Sequence, residues 1–473
     1  MTILRYIFIA LEVVVLFNLL IGVHELGHFL AAKWRGLKVD RFAIWFGKPI
    51  WKKKIGGVEY VLGSIPAGGY VALPQMATME AIEGKGDDDG AGPLPNVSPL
   101  DKIIVAFAGP LASFGLAVFF AFVVWGVGKP DNAVNDNTIV GAVDPAGPAG
   151  KAGLLPGDAI LEVDGHPVKH FEAVTQDSVK WCIITSEGTN IPIKYVRDGQ
   201  EHMAYPVPIH KVTKWYERKA LRQILIGPAS APVLYEIASN SPASLAGLKP
   251  GDELVALNGR HLYSYDPVQT LENSWTNHAP EPFTLTVKRG QEQFDRTLLA
   301  VKPLQPTNSP PLDGILSLQV DTNDTLVHPS PMDQIQSSVS MIASTFHALV
   351  SRKSEIGLQQ MGGAVMIIRV YSNLFQSDDG WRRVLWFSVV MNVNLALLNL
   401  LPLPVLDGGH ILLSVIEYVR RRPVSSQIVQ FIQTGFAAML IMFMLYLAFF
   451  DTSDWVRSAQ ADREVPVVFA PSK

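Results

Sequence analysis

The chain has 473 residues and a formal net charge of −4 at pH 7, so its charge gives no indication of a polyanionic partner such as nucleic acid. It is 48% hydrophobic with a mean hydropathy of +0.21, which is high for a soluble protein. A single cysteine, Cys182, excludes an intramolecular disulfide and a metal cluster held by several cysteines.

Four apolar stretches are long enough to cross a bilayer, for which a helix needs about 20 residues. The predicted spans cover residues 2–32, 103–127, 384–406 and 428–450. The first stretch is too long for a secretory signal peptide and is followed by no small-residue cleavage site, so we expect it to be retained as a span.

The positions of lysine and arginine predict the orientation, because short cytoplasmic loops carry an excess of these residues. The segment after the first span carries Lys33, Arg35, Lys38, Arg41, Lys48 and Lys52 to Lys54, and the turn after the third span carries Arg420 to Arg422. We therefore expect both termini, and residues 128–383, to lie outside the cytoplasm, in the periplasm of a bacterium with two membranes. Arg382 and Arg383 weakly favour the opposite orientation.

The first span contains "LLIGVHELGHFLAA", residues 19–32, with three ionisable side chains. His24 and His28 are one helical turn apart, so both imidazoles can bind one metal ion, and the adjacent Glu25 can act as a general base. Ionisable groups inside a span are costly unless they are paired or coordinated, so they indicate a functional site. The alternative is three polar side chains that satisfy one another in a helix bundle.

Two stretches of the outside segment match each other, "AGLLPGDAILEVDGHPV" from Ala152 and "AGLKPGDELVALNGRHL" from Ala246. Each contains a Pro-Gly-Asp turn, an alternating strand and an Asp-Gly or Asn-Gly hairpin signal, which indicates an internal duplication. The pair resembles tandem bacterial PDZ domains, which capture peptides by adding a strand to a sheet edge. Spacer domains that bind nothing are the alternative. Further on, residues 332–358 have the spacing of an amphipathic helix.

A zinc site built on this helix needs a third protein ligand, and residues 29–58 offer neither histidine nor glutamate. The stretch "NLLPLPVLDGGH", residues 399–410, offers Asp407, with His410 as a rival ligand. Its prolines and glycines predict broken backbone, which is tolerated at membrane depth where it lines a cavity.

The two motifs together resemble the site-2 proteases, intramembrane zinc metalloproteases with HExxH in one span and NxxPxPxLDG near another. The second motif is matched by Asn399, Pro402, Pro404, Leu406, Asp407 and Gly408. The domain order is similar to that of the bacterial members that regulate an envelope-stress sigma factor. The resemblance implies one Zn²⁺ held by His24, His28 and Asp407, and Glu25 as the catalytic base.

The resemblance also implies substrate-binding residues. Asn399 and Asn394 resemble family asparagines associated with the substrate, although an interhelical hydrogen bond is an equal alternative for Asn394. The stretch "GGVEYVLGSIPAGGYVAL", residues 56–73, alternates like a β-hairpin that in the family dips toward the active site. It implies substrate contacts by Gly68, Gly69 and Tyr70, with an ordinary soluble hairpin as the alternative. The acidic, glycine-rich residues 83–92 predict a flexible loop.

The predicted fold is a polytopic α-helical membrane protein with four transmembrane helices and two extracytoplasmic PDZ domains (α+β) inserted between the second and third spans. The expected boundaries are 1–34 for the first helix, 35–99 for a cytoplasmic-side loop with a membrane-associated β-hairpin, 100–128 for the second helix, 129–220 and 221–304 for the PDZ domains, 305–380 for a linker with amphipathic helices, 381–407 for the third helix, 408–427 for a cytoplasmic turn, 428–450 for the fourth helix and 451–473 for a periplasmic tail.

The resemblance implies a zinc metalloendopeptidase of the bacterial inner membrane, with its active site toward the cytoplasmic side. It would hydrolyse a peptide bond within the transmembrane segment of single-pass proteins whose outer domain has been trimmed. The expected partners are anti-sigma factors, signal-peptide remnants and the lipid bilayer, and no nucleic acid. The PDZ pair would either exclude intact outer domains by size or read the new C-terminus.

Two functions of other classes compete with this one. A non-catalytic membrane PDZ scaffold is disfavoured by the complete set of His24, Glu25, His28 and Asp407. An ion or zinc transporter usually shows paired repeats of its spans, whereas the repeat here lies in the outside segment.

Overall fold

The computed structural model describes residues 3–76, 97–131, 137–172, 175–214, 216–275, 277–307, 309–320, 325–351, 354–377, 379–422, 424–461 and 467–471. The flexible loop predicted at residues 83–92 lies outside them. The chain divides into two compact units. The first comprises Met1–Lys129, Val327–Ile342 and Met361–Thr452, and the second comprises Pro130–Leu326, Ala343–Gln360 and Ser453–Lys473.

The described helices are, in chain order, α1 (Ile3–Trp34), α2 (Pro99–Val127), α3 (Pro148–Lys151), α4 (Val179–Thr185), α5 (Pro242–Leu245), α6 (Asp266–Ser274), α7 (Pro331–Val350), α8 (Ala364–Gln376), α9 (Gly380–Asn399), α10 (Asp407–Arg420) and α11 (Ser426–Ala461). The described strands are β1 (Arg41–Phe46), β2 (Trp51–Ile55), β3 (Val58–Leu62), β4 (Ile65–Ala72), β5 (Lys129–Asp131), β6 (Val140–Val143), β7 (Ala159–Val163), β8 (His166–Pro167), β9 (Ile193–Arg197), β10 (Gln200–Ala204), β11 (Ile226–Pro228), β12 (Pro232–Ile237), β13 (Glu253–Leu257), β14 (Arg260–His261), β15 (Phe283–Arg289), β16 (Glu292–Leu298), β17 (Ile315–Val320) and β18 (Thr325–Val327).

Three helices of the described chain are long and apolar enough to cross a membrane, over Ile7–Trp34, Pro99–Val127 and Gln427–Ser458. These agree with the first, second and fourth predicted spans. The third predicted span differs. Its helix, α9, is not among the three, and it ends at Asn399 instead of residue 406. Pro402 and Pro404 lack the N–H that a continuing helix needs, so the backbone breaks there.

Two segments differ from prediction in how much helix they contain. Residues 408–427, expected to be a turn, contain the helix α10. That expectation was wrong because Gly408 and Gly409, which suggest a turn, serve here for close packing: a Cβ on either would overlap carbonyl oxygens of Leu400 to Leu403. The amphipathic helix expected at 332–358 forms α7 and ends earlier, at Val350.

The helix α2 lies at the centre of the first unit, where it packs against α1, α9 and α10. Ser98 caps its start by accepting the Asp101 N–H at 3.1 Å, and Pro99 occupies the first turn. Its buried positions are mostly small, among them Ala106, Gly109, Ser113, Ala117 and Ala121. Small residues allow helix backbones in a membrane to approach closely, so α2 is suited to a central position.

A four-stranded sheet follows α1, in the order β2-β3-β1-β4. The prediction that residues 56–73 form one hairpin was wrong, because β1 lies between β3 and β4 and pairs with both. The hairpin is formed instead by β2 and β3. Gly56 and Gly57 connect them with φ values of 56° and 87°, which glycine adopts without strain in a two-residue turn. The strand β4, with its Gly68-Gly69 pair, is left at the edge of the sheet.

The second unit contains two copies of one strand arrangement, which we call the first repeat (residues 137–228) and the second repeat (residues 232–320). In the first repeat β9 pairs with β7 and β10, and in the second repeat β15 pairs with β13 and β16. A separate buried apolar cluster fills each copy. The structure therefore contains the internal duplication that the matching stretches predict.

The Pro-Gly-Asp turn recurs because its aspartate has the same partners in both repeats. Asp158 accepts a backbone N–H from within the turn and pairs with Arg197, whose Nε lies 2.7 Å from Oδ1. In the second repeat Asp252 accepts the Lys249 N–H and pairs with Arg289, whose Nε lies 2.6 Å from Asp252 Oδ1. A buried carboxylate with charge-assisted hydrogen bonds of this kind has the partners it needs, so the aspartate stabilises the turn in each repeat.

The last strand of each repeat lies beyond the boundary expected from sequence. The strand β11 pairs with β6 although it follows residue 220, and β17 pairs with β12 although it follows residue 304. Both strands lie outside the two matching stretches, so the duplication by itself does not locate them. Pairing with the first strand of the same copy assigns them.

Two carboxyl groups lie together in the second repeat, that of Asp313 buried and that of Glu272 half-buried. Asp313 is fully buried, and its Oδ1 accepts the Ile315 N–H at 2.8 Å. Glu272 lies within hydrogen-bonding reach of Asp313, and the Tyr265 hydroxyl donates to Glu272 at 3.4 Å. Burial raises the pKa of both carboxyl groups, and the charge of Asp313 raises the pKa of Glu272 further. The pair therefore tends to retain a proton.

Glu272→Gln is expected to stabilise the second repeat at pH 8 but not at pH 5. A carboxyl whose pKa is raised on folding contributes stability that is present below its ordinary pKa of 4.5 and is lost as the pH rises to about 8. The amide has no proton to lose, so the variant gains on the order of 1 kcal/mol at pH 8. Hydrogen exchange of the β13 and β15 amides in the full chain, corrected for intrinsic rates, measures the difference.

The control for this experiment is Glu281→Gln, which removes an exposed carboxyl from the same repeat. It is expected to change stability equally little at both pH values. A Glu272→Gln effect of the same size at pH 5 and pH 8 would contradict the prediction.

Candidate active site

Three side chains from two distant segments meet inside the first unit. The Nε2 atoms of His24 and His28 lie 3.2 Å apart, and they lie 3.2 and 3.3 Å from Asp407 Oδ2 and Oδ1 respectively. All three residues are buried. They form the one group of three or more His, Cys, Asp or Glu side chains in the described ranges whose ligand atoms lie close enough to share a metal ion.

This arrangement fits a zinc ion. Ligand atoms about 3.3 Å apart are spaced like the corners of a tetrahedron whose centre is about 2.0 Å from each, the usual Zn–N and Zn–O distance. Asp407 Oδ2 is buried without a hydrogen-bond donor, as expected for an oxygen that faces a cation. Two imidazoles and one carboxylate leave a fourth position open, as in catalytic zinc sites.

The helix α2 orients His28. The His28 Nδ1 lies 2.8 Å from the carbonyl oxygen of Val105, which can only accept a hydrogen bond. Nδ1 therefore carries the proton, and Nε2 presents its lone pair toward Asp407 and His24. A backbone carbonyl in this role fixes both the tautomer and the ring orientation of a ligating histidine.

The same helix orients His24 through Ser113. The serine Oγ lies 2.9 Å from His24 Nδ1, and Ser113 has no exposed surface. With this hydrogen bond on one side of the ring, His24 Nε2 faces the other two ligand atoms. Val105 and Ser113 are eight residues apart on one face of α2, so one helix supports both imidazoles.

Two glycines allow α1 and α2 to approach at the site. A Cβ on Gly109 would overlap His28 Nε2, and a Cβ on Gly27 would overlap the Ala108 carbonyl oxygen. Since both are helical, they are required for the space they leave rather than for an unusual φ. The imidazole of His28 therefore occupies a position that any side chain at residue 109 would block.

The third candidate ligand lies in the broken segment after α9. Asp407 is the first residue of α10, and Gln433 of α11 donates its side-chain N–H to the Pro404 carbonyl at 3.1 Å. Gln433 is buried. Prolines 402 and 404 leave backbone groups of this segment without helical partners, so a buried amide that binds one of them helps to hold Asp407 in place.

A cavity of about 200 Å³ opens on the ligand atoms. Its lining residues are Ile21, His24, Glu25, His28, Leu395, Asn399, Val405, Leu406 and Asp407. Glu25 is half-buried and takes part in the lining beside the two histidines. A carboxylate in this position can exchange a proton with a water molecule or an amine held in the cavity.

The predicted substrate-binding residues occupy different positions. Asn399 lines the cavity, and its Nδ2 lies 3.5 Å from His24 Nε2, whereas Asn394 is not part of the lining. On the edge strand β4, Gly69 lies next to Glu25: a Cβ there would be 3.3 Å from Glu25 Cγ. Gly68 has a φ of 75° and lies against Phe46. Tyr70 is buried and stacks on Phe46 instead of facing the cavity.

The choice between Asp407 and His410 is made by their positions relative to the two histidines. The structure brings Asp407 to them, whereas His410 lies outside the group of three. Four supporting residues were not predicted from sequence: Val105, Gly109, Ser113 and Gln433. The small residues of the uncharged stretch "AGPLAS", which includes Gly109 and Ser113, were a sequence feature that could have indicated the close packing of α2, since small residues mark close helix packing.

Ser113→Ala is expected to weaken zinc binding by about 10- to 100-fold, the usual effect of removing a hydrogen bond behind a ligating histidine. The serine to His24 hydrogen bond would be lost while the three ligands remain. Competition with a fluorescent chelator measures the zinc Kd of the full chain in detergent. The variant Ser113→Thr keeps the hydroxyl, so its zinc Kd should stay near that of the unmodified chain.

The matched control is Ser414→Ala, which removes an equally buried hydroxyl that donates to the His410 carbonyl. Its zinc Kd is expected to stay near that of the unmodified chain. Equal losses in the Ser113 and Ser414 variants would indicate a general packing defect and would exclude a positioning role for Ser113.

Comparison with known proteins identifies a matching family and several relatives. The profile of peptidase family M50 matches residues 12–443. Protease RseP of Yersinia pestis is 27% identical over 456 residues, which cover 93% of this chain and 96% of the relative. The regulator of sigma E protease of Haemophilus influenzae is 27% identical, covering 91% and 96%. A Neisseria meningitidis protein whose name describes a zinc metalloprotease is 28% identical, covering 95% and 98%.

Proposed function

Because the chain belongs to peptidase family M50, a zinc-dependent family, we propose that it is an intramembrane metalloendopeptidase that cleaves the transmembrane segments of single-pass proteins. The membership itself makes the chain a zinc metallopeptidase. The proposal adds where the peptide bond lies, which residues act on it and which substrates are cut.

One observation carries the proposal. His24, His28 and Asp407 place three ligand atoms within 3.3 Å of one another on helices of an apolar bundle, and Glu25 shares their cavity. The helix α1, which supplies both histidines and the glutamate, is one of the three helices of spanning length in the described chain. A hydrolytic site on such a helix acts on a peptide bond at membrane depth.

We assign the following roles at this site. His24, His28 and Asp407 hold zinc, which when bound supplies Lewis-acid activation of water and of the scissile carbonyl. The Glu25 carboxylate accepts a proton from the attacking water and returns it to the nitrogen of the departing amine. Asn399, whose amide N–H group points into the cavity beside His24, donates to the oxygen that gains charge during the attack.

The edge strand β4 is proposed to hold the substrate extended. A transmembrane helix keeps its peptide groups hydrogen-bonded within itself, so it must unwind before it can be hydrolysed. Among the described strands, β4 has a partner on one side only, and its Gly69 lies against Glu25. An unwound segment that pairs with the open side of β4 would pass the catalytic glutamate. In this role Gly68 and Gly69 keep the strand surface free of side chains, while Tyr70 supports the strand through Phe46.

The proposed topology has four spans, with α9 and the broken segment after it as the third. Both termini and the two repeats would then lie in the periplasm, and the site would lie toward the cytoplasmic side of the inner membrane. Three helices of spanning length and the basic segment after α1 support this arrangement. The helix α9 accommodates the polar Asn392 inside the first unit, where the side chain is fully enclosed and its amide donates to the Ser388 carbonyl of the same helix at 2.8 Å.

The two repeats are proposed to be PDZ domains that act on substrates already shortened outside the membrane. Their duplicated sheets and turns support this assignment. Substrates of the anti-sigma-factor type are proposed because relatives of Yersinia pestis and Haemophilus influenzae carry names that refer to sigma-E regulation or RseP. Remnant signal peptides, which are short single spans without an outer domain, form a second substrate class.

The test is a cleavage assay with the full chain in detergent. The substrate is a fusion protein with one apolar segment of about 20 residues, prepared with and without a folded outer domain. We expect mass spectrometry to find a cut inside the apolar segment of the short form, and much slower cutting of the long form. A zinc chelator should stop the reaction, and added zinc should restore it.

Cuts only in the flanking soluble segments would contradict an intramembrane reaction. Zinc bound at full stoichiometry without any cleavage of the short form would favour a non-catalytic membrane scaffold instead.

A further inference from the structure

A cavity of about 640 Å³ lies beside the first repeat, and the proposed peptidase reaction does not use it. One wall comes from α4 and from the turn between β7 and β8, with Asp164, Trp181 and Thr185 among its residues. The other wall comes from the last turns of α7 and the residues after them, including Ser344 and His347. All of the described lining belongs to the second unit. A cavity of this volume is large enough for a small organic ligand.

This cavity is separate from the sheet edge at which a peptide strand could add. The strand β11 lies at that edge and pairs with β6. Among the described residues, none of β6, β11 or the loop 222–226 lines the cavity. Its ligand is therefore identified from the side chains of its own lining and not from the chemistry of strand addition.

The charged side chains of the lining are acidic. Asp164 and Glu187 contribute two carboxyl groups, and no lysine or arginine of the described chain is part of the lining. The thiol of Cys182, which also lines the cavity, indicates the sign of the potential there. Burial raises the pKa of this thiol, and the charges of Asp177 and Asp164 raise it further, to about 11. A potential that disfavours a thiolate favours a cation at the same place.

The other groups of the lining indicate which kind of cation fits. A bare metal ion needs several ligand atoms close together, and the one such group in the described chain is that of His24, His28 and Asp407. Trp181 is half-buried in the lining, and indole rings attract ammonium groups and pack on methylene chains. The Ser344 hydroxyl oxygen is buried without a hydrogen-bond partner in the described chain, so it can accept an N–H. A cation with N–H donors and an apolar stem complements all of these groups.

We propose that this cavity binds an alkylammonium group, that of a free polyamine or of a lysine side chain. The carboxylates of Asp164 and Glu187 balance its positive charge. The Ser344 hydroxyl accepts one of its N–H groups, and the Trp181 indole covers its methylene stem. Glu187 also accepts a hydrogen bond from the hydroxyl of Ser351, the residue after α7, so a ligand at this carboxylate holds the end of α7 on the first repeat.

Equilibrium dialysis of radiolabelled spermidine against the full chain in detergent tests the proposal, at pH 8 and about 0.15 M KCl, where exposed charges are largely screened. An ordinary histidine is neutral at this pH, so the histidines of the lining add no charge. One saturable site per chain is expected. Competition by N-acetyl-lysine methylamide at similar concentrations would identify a lysine side chain as the source, and no competition would identify a free polyamine. Octane-1,8-diol, which has the stem without the charge, should not compete.

The thiol of Cys182 reports where the probe binds, because Cys182 is the single cysteine of the chain and lines the cavity. Bound spermidine is expected to slow the modification of this thiol by methyl methanethiosulfonate several-fold. The ratio of the rates with and without spermidine is measured, so that a change in the intrinsic reactivity of the thiol cancels between variants.

Asp164→Asn is expected to weaken spermidine binding by about tenfold or more, since the ammonium group loses a charged partner. The matched control is Asp198→Asn. Asp198 lies in the same repeat, precedes a glycine as Asp164 does and has the same φ of 52°, but it does not line the cavity. Asparagine also adopts this backbone conformation, so both variants should fold. The Kd of the control should equal that of the unmodified chain.

The proposal is overturned if no saturable site is found, if the diol competes as well as spermidine, if spermidine leaves the modification rate of Cys182 unchanged, or if the two aspartate variants bind alike. None of these results involves the zinc site. Cleavage of the short transmembrane substrate is measured separately, so the proposed peptidase function can stand where this proposal fails.

Discussion

Glu25→Gln is expected to reduce cleavage of a trimmed transmembrane substrate by about 10²- to 10⁴-fold, the usual contribution of a general acid–base group. The amide cannot accept the proton of the attacking water, and it has nearly the same shape as the carboxylate. Bound zinc should remain at one per chain, because His24, His28 and Asp407 are unchanged. Substrate turnover and zinc content are measured on the same preparation.

Glu12→Gln is the matched control. It makes the same substitution on the same helix, at an exposed position that is more than three turns from Glu25. Its turnover is expected to equal that of the unmodified chain. A Glu25→Gln chain that retains zinc and cleaves at the normal rate would show that another group transfers the proton.

Gly109→Ala is expected to abolish stoichiometric zinc binding, and cleavage with it. The added methyl group would overlap His28 Nε2, which is only 2% exposed and is held from its other side by the Val105 carbonyl. The imidazole must leave its position or α1 and α2 must separate, and either change removes a ligand from the group of three. Zinc content after gel filtration and the chelator-competition Kd measure the loss.

Gly115→Ala is the control on the same helix, since a Cβ at Gly115 has no atom within 4 Å. This variant is expected to bind zinc normally, and alanine should favour the helix slightly, by somewhat less than 1 kcal/mol. If Gly109→Ala also keeps its zinc, then α2 does not pack on His28 as closely as described.

The residues that support the candidate zinc ligands could not be predicted from the sequence, and the reason is physical. His28 and the α2 residues that contact it, Val105 and Gly109, are about eighty positions apart in the chain. No periodicity within either helix indicates which turn of one faces which turn of the other. The same holds for Gln433, whose apolar surroundings give no sign that its amide binds Pro404 in a different segment. Such contacts depend on helix packing alone.

The β-strands show the same limit in another form. Alternation correctly predicted extended chain over much of residues 56–73, yet the pairing was wrong, because β1 from upstream inserts between β3 and β4. In the repeats, matching turns predicted a duplication, while the strands β11 and β17 lay outside the matched stretches. A pattern of period two identifies a strand but does not identify its neighbour.

The sequence by itself determined the spacing of His24, Glu25 and His28 on one helix, the broken backbone before Asp407, the apolar stretches and the duplication. These are local properties, set by side-chain chemistry and by intervals of a few residues. Only the tertiary structure decided that Asp407 and not His410 joins the histidines, and that α2 orients both imidazoles. Those features come from groups that are far apart in the chain and meet only when the helices and sheets have packed.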